Sequence, residues 1–293
     1  MRTIVSAGVV AALLALTPQD ARAQAPTLNA DTVIKSVENA LGILRARQEE
    51  ESLMTIQYWG TGTMSEVGAG ASQPGPAARI TSYYGSIAYD FPGMRVDFTR
   101  MNPDGSPQRQ IRVVSGTFAW DEVEEGGGLD PKLGKAVPAM NVANDRLLQL
   151  WMTPLGVIKA ARAAVANAKA TIGEDKNGVI TFALTGPKRT SPATNVVVGP
   201  LAGTQVKLTL DAQNRPGRVE VQYGGRRIET TYTEYGDFNG ADYLSDVFLP
   251  RRTVQKVDGQ TVLDLTITKT NTYNPYVIMP VPLNVQQAAA AVR

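Results

Sequence analysis

Glu220 and Glu229 stand on either side of a Gly-Gly turn in VEVQYGGRRIETT. Two carboxylates brought together across a hairpin are the minimum for glycoside hydrolysis, one as acid and one as base or nucleophile. Alternation along both arms places them on the polar face instead, where solvated charges are ordinary. A second group of carboxylates lies in DEVEEGGGLD, where Asp121, Glu122, Glu124, Glu125 and Asp130 could hold calcium. The segment lacks the ligand spacing and fixed glycine of an EF-hand loop, so a solvated acidic loop is the simpler reading. GGRR, residues 224–227, could grip an anion and is more simply a turn.

The chain contains no histidine and no cysteine. That removes the Ser-His-Asp triad, the imidazole base, thiolate zinc sites, iron–sulfur clusters and disulfides. No metal site and no cofactor is expected. Carboxylates, Lys, Tyr and Ser remain, so a carboxylate hydrolase is the third-ranked reading behind two non-enzymatic ones. The 293 residues, 43% hydrophobic and 19% charged, are ordinary for a globular chain and long enough to bury a substantial core.

The first residues, MRTIVSAGVVAALLALTPQDARAQA, read as a secretory signal peptide: Arg2, an apolar run over residues 4–16, and the small-residue site Ala21-Arg22-Ala23. The run is shorter than the ~20 residues that span a bilayer. Cleavage after Ala23 places the mature chain in the periplasm or outside the cell. Removing Arg2, Arg22 and Asp20 leaves it nearly neutral, which gives no electrostatic case for nucleic acid or an anionic membrane. No later segment is apolar enough to span a membrane.

The elements that must position any site are mostly strands. Asn29 or Asp31 can cap a first helix whose apolar stripe is Val33, Ile34, Val37, Leu41 and Leu44, with Lys35, Glu38 and Arg45 off it. A strand over residues 53–63 follows, then a Gly/Pro loop over 65–78 and two strands broken at Pro92-Gly93. NPDGS is a turn, and RQIRVVSGTFAWDEV reads as two strands around Ser115-Gly116, with Phe118 and Trp120 on one side. After an irregular segment over 124–140 come two helices. Asn144 or Asp145 starts the first; Thr153 caps the second, with Pro154 at its first position. Seven more strand-like runs extend to residue 273, with hairpin turns at DAQNRPGR and VDGQ.

These elements predict an α+β fold: a strongly curved antiparallel sheet, a half-barrel of about ten strands. An N-terminal helix and an internal helix pair would lie on its concave face. Residues 1–23 form the signal, 24–275 the domain and 276–293 a Pro/Ala-rich tail. The apolar face carries Met94, Val96 and Phe98, with comparable sets at Val219 and Val221, at Val206 and Leu208, and at Leu263, Leu265 and Ile267. It is either filled core or a cavity for an apolar guest. Leu147, Leu150 and Trp151 are expected to face the sheet from the first helix of the pair. Trp59 and Trp120 complete the candidate ligand-binding set, because aromatic rings offer large apolar area.

QIRVVSGTFAWDE and KLTLDAQNRPGRVEVQYGGRRIETTYTEYGDF, followed by LPRRTVQKVDGQTVLDLTI, resemble the lipoprotein carrier family, the LolA/LolB-like proteins. That resemblance implies a periplasmic half-barrel holding a lipid or a lipoprotein acyl chain in its concave face. A second, narrower resemblance links NPDGSPQRQIRVV, RLLQLWMTPLGVIKAA and LDLTITKTNTYNP to the segment preceding the catalytic domain of some secreted metallo-β-lactamase-fold hydrolases. It implies a structural or interaction module with an envelope protein partner. The preferred expectation is the carrier.

Overall fold

The computed structural model describes residues 29–44, 53–66, 74–124, 136–167, 170–172, 178–185, 199–238 and 247–291. The signal segment lies outside them, as does the acidic loop beyond Glu124.

Helix α1 (Ala30–Ala40) begins where the sequence directs it, with the Asn29 side chain accepting the Asp31 N–H at 2.9 Å. It buries Ile34 and Val37 as expected, but also Glu38. The spacing sets Glu38 off the apolar stripe; it is buried because Arg162 arrives from another helix to pair with it and with Asp31. A buried carboxylate survives only with such a partner. Helix α2 (Ala143–Trp151) has no side-chain cap, and a single 3-10 turn over Met140–Val142 feeds it instead. Helix α3 (Pro154–Ala166) opens as read, with Thr153 Oγ1 accepting the Gly156 N–H at 3.1 Å and Pro154 in the first turn.

The strands form one antiparallel sheet. Its first part is β1 (Thr55–Met64), β2 (Ala78–Ala88), β3 (Gly93–Met101), β4 (Pro107–Ser115), β5 (Phe118–Glu122) and β6 (Ala136–Pro138). Its second is β7 (Ala170–Ile172), β8 (Val179–Ala183), β9 (Gln205–Leu210), β10 (Pro216–Tyr223), β11 (Arg226–Asp237), β12 (Phe248–Val257) and β13 (Gln260–Asn271). The order is β6-β5-β4-β3-β2-β1-β13-β12-β11-β10-β9-β8-β7, so β1 and β13 join two meanders and the sheet is open, with short edges. Thirteen strands exceed the ten or so expected. The addition that left no alternating signal is β6, three residues in the segment read as irregular, held by pairing with β5.

The register along the seam at β1 is irregular. It slips between Trp59 and Gly60 against β13, and between Gly60 and Gly62 against β2. A Cβ on Gly62 would overlap the Asp264 carbonyl, and one on Gly60 would overlap the Thr266 carbonyl. Glycine thus lets the strands approach closely where the register shifts.

The two faces of the sheet are covered differently. Helices α2 and α3 cover one face. On the other, the C-terminal segment crosses the strand ends as a strap. Asn274 Oδ1 accepts the Met54 N–H at 2.7 Å, Thr55 Oγ1 donates to the Pro275 carbonyl at 2.6 Å, and Met279 lies over Gly93. Helix α4 (Leu283–Ala291) then packs Val285 into a second small core with Ile111, Val113, Trp120 and Ala136. The residues read as a tail are therefore part of the packed fold. No helix among the described residues is long and apolar enough to cross a membrane.

Gly62→Ala is expected to lower stability by ~1–3 kcal/mol, because backbone at the seam must move. Thr63→Ala, one residue along on an exposed side chain, should fall within ~0.5 kcal/mol. Equal denaturant midpoints for the two variants would contradict the seam argument. Val285→Asp, which puts an unpaired charge beside Trp120, should cost at least ~3 kcal/mol and make tryptophan emission more accessible to iodide. A native melt with unchanged quenching would show that the strap is dispensable.

Candidate functional site

A cavity of about 690 Å³ lies between the helix pair and the sheet. Its floor comes from β1, β2 and β3 on one side and β11, β12 and β13 on the other. Strand alternation delivers the floor residues: Ile56 and Tyr58, then Met94, Val96 and Phe98, then Leu263, Leu265 and Ile267. The roof is one face of α2, made by Asp145, Leu148 and Gln149 and continued by Met152 at the joint with α3. That spacing is a single helical stripe.

Both ends of α2 are fixed to the sheet through polar groups. At its start the buried Arg146 donates to the Val113 carbonyl at 3.1 Å, the Trp120 carbonyl at 2.7 Å and Asp121 Oδ1 at 2.6 Å. Burial lowers the basicity of this guanidinium, and Asp121 pulls it back up. At the far end, the Tyr232 hydroxyl donates to the Met152 carbonyl, and the Tyr89 hydroxyl lies 3.0 Å from Thr153 Oγ1. Helix α2 thus runs from β4 and β5 at its start to β11 at its end. The lining includes exposed Glu66, Asn141 and Gln149, so the cavity reaches solvent alongside α2.

An aromatic ladder runs across four strands in this wall. Tyr58 and Tyr83 have ring centroids 5.8 Å apart, Tyr83 and Phe98 6.4 Å, and the Arg112 guanidinium sits 5.0 Å over the Phe98 ring. Gly85, opposite Tyr58 in the register, leaves room for the tyrosine ring that a Cβ would fill. At the ladder's end the wall turns polar: Arg112 binds Glu66 at 2.7 Å and Gln110 at 2.6 Å. Register explains the change. Arg112 pairs with Val96 and with Asp121, so both charged residues share the cavity face of Val96.

Of the candidate residues, Met94, Val96 and Phe98 line the cavity. Leu147, Leu150 and Trp151 do not; they sit in the packed core, on another side of α2 from the stripe at Asp145, Leu148 and Gln149. Trp120 lies on the back face under α4. Trp59, half-buried on the back face, stacks on Tyr84 at 5.0 Å with Lys269 Nζ 4.7 Å over its ring. Sequence reasoning missed the tyrosines and Arg112. The available signal was the alternation of Tyr58 with Ile56, and of Arg112 with Gln110.

The remaining carboxylates are engaged elsewhere. Glu220 and Glu229 pair directly across β10 and β11, held by Arg218 and Arg227, which sit 2.8 Å and 2.5 Å from Glu220. Burial opposes ionisation of Glu220, but those arginines prevail and hold its carboxyl below the usual range, the reverse of what a general acid needs. Among the described residues no three carboxylates gather as a metal site. No family model matches the chain, and no curated protein matches it.

Burial raises the Tyr58 and Tyr232 hydroxyls well above the ordinary 10.0, and raises Tyr83 as well. The folded state holds these protons more tightly than the unfolded chain. That stability is fully present below the ordinary tyrosine value and is lost as pH rises through the raised range. An absorbance titration should show a late-ionising set of tyrosines, with the melting temperature falling in that same window. All tyrosines titrating together near 10.0, with the protein still folded, would contradict the enclosed wall.

Proposed function

We propose that this protein is a non-enzymatic carrier that shelters the apolar part of a lipid, a lipoprotein acyl chain or a similar guest beneath its helix pair. One observation carries the reading: the 690 Å³ cavity, lined by aliphatic and aromatic side chains and open beside α2. Ligand sites typically occupy ~300–1,000 Å³. An apolar void costs ~24 cal/mol per Å³, so a dry defect of this size would cost more than ~10 kcal/mol, comparable to the whole stability of a domain. The space is therefore solvent-connected or guest-filled, not a packing error. Curvature of the sheet into a half-barrel, imposed by the bulges at Gly60 and Gly62, belongs to the same proposal. So do the likeness to lipoprotein carriers and an address in the periplasm.

The second reading, an interaction module for an envelope partner, has its own support. Phe91 and Tyr276 are 76% and 85% exposed, and Ile278 also faces outward from a strap that has no charged side chain between Lys269 and Arg293. Exposed apolar surface of this kind marks contact sites.

The neutral, environment-sensitive probe N-phenylnaphthylamine separates the two. Wild-type protein at micromolar concentration should enhance its emission. Ile228→Trp, which projects a larger ring into the cavity from β11, should weaken that enhancement while keeping a cooperative melt. Undiminished enhancement in Ile228→Trp, or none with the wild type, would sink the carrier and leave the interaction module.

A further inference from the structure

The cavity-facing stripe of β11 runs Tyr232, Thr230, Ile228, Arg226, from the helix joint toward the hairpin. It passes from aromatic to aliphatic to cationic, and Arg226 ends it half-buried at the cavity's edge. The arginines lining this cavity differ in one respect. Arg146 is occupied by two carbonyls and Asp121, and Arg112 by Glu66, Gln110 and the Phe98 ring. Next along the chain, Arg227 points to the back face and is held by Glu220 and Glu229. The side chain of Arg226 has no hydrogen-bond or ion-pair partner among the described residues. Gly224 and Gly225, both at positive φ, make the tight turn that sets it there.

We propose that the guest is an anionic amphiphile, with its apolar chain in the cavity and its carboxylate or phosphate paired with Arg226. This rests on the carrier reading above and adds the head-group chemistry. A guanidinium suits the task because its planar set of donors matches either oxyanion, and its charge persists at any physiological pH. Arg226 is only half-buried, so an anion can pair with it without being fully desolvated.

The test uses the full chain and displacement of bound N-phenylnaphthylamine by dodecanoate or by dodecanol, which share a chain and differ in charge. In Arg226→Gln, dodecanoate should bind about fivefold more weakly than to wild type, the worth of a part-exposed ion pair, while dodecanol is unchanged. Arg226→Lys should recover part of the loss, and raising salt should erode the wild-type preference. Equal loss for acid and alcohol would make Arg226 a covering side chain and overturn the proposal. No loss for either would overturn it while leaving the carrier intact. Failure of the wild type to bind the probe or either chain would remove the carrier reading, and this one with it.

Discussion

The cavity depends on helix α2 being tied to the sheet through polar groups at both ends. Apolar surfaces left alone close on each other, because each unfilled gap forfeits dispersion contacts. Here closure is blocked by groups that cannot be left without partners. The Arg146 guanidinium must reach two strand carbonyls and Asp121, which fixes the start of α2 over β4 and β5. The Met152 carbonyl and Thr153 hydroxyl must meet Tyr232 and Tyr89, which fixes the joint with α3. Collapse of the span would strand a buried cation and several buried dipoles, at a cost of ~1–3 kcal/mol for each neutral group and more for the charge.

Legibility in the sequence followed local chemistry. Asn29, Thr153 and Pro154 announce two helix starts through caps that need only neighbouring residues, and both starts are in place. Met94, Val96 and Phe98 announce an inward face through period-two alternation, and all three line the cavity. In the next strand the apolar alternates mark the other face. Ile111 and Val113 are the apolar alternates of β4, yet they point to the back, and Arg112 points to the cavity. Alternation tells which residues share a face. It cannot tell which face is which when both are covered, and here the strap supplies a second apolar cover.

The strap was illegible for a related reason. Residues 274–282 carry three prolines and no regular period, and proline cannot join a ladder from its own nitrogen. Their order comes from contacts distant in sequence: Asn274 with the start of β1, Met279 with Gly93, and Asn284 with the Ala136 carbonyl at 2.6 Å. Choosing tryptophans as cavity lining failed on similar grounds. Large apolar area favours burial of any kind, and the packed core took Trp151 while the back-face core took Trp120. Tyrosine suits a propped cavity better, because one side chain supplies both apolar wall and a hydroxyl for the prop.

The sheet therefore divides its labour between faces. Charges on the back face are spent on one another: Arg109 with Asp97, Arg252 with Asp264, Arg227 with Glu220. Cross-strand pairs of this kind hold register and contribute little more than that when exposed. On the helix face charge is scarce and each group has a task. Arg146 positions the roof, and Arg112 closes the aromatic ladder against Glu66. The carrier role proposed above asks for no histidine or cysteine, only for a space between helix and sheet. What such a space can do is discriminate shape and polarity along its length, apolar at the tyrosines and charged at the edge. The fold presents that gradient as a consequence of holding up α2.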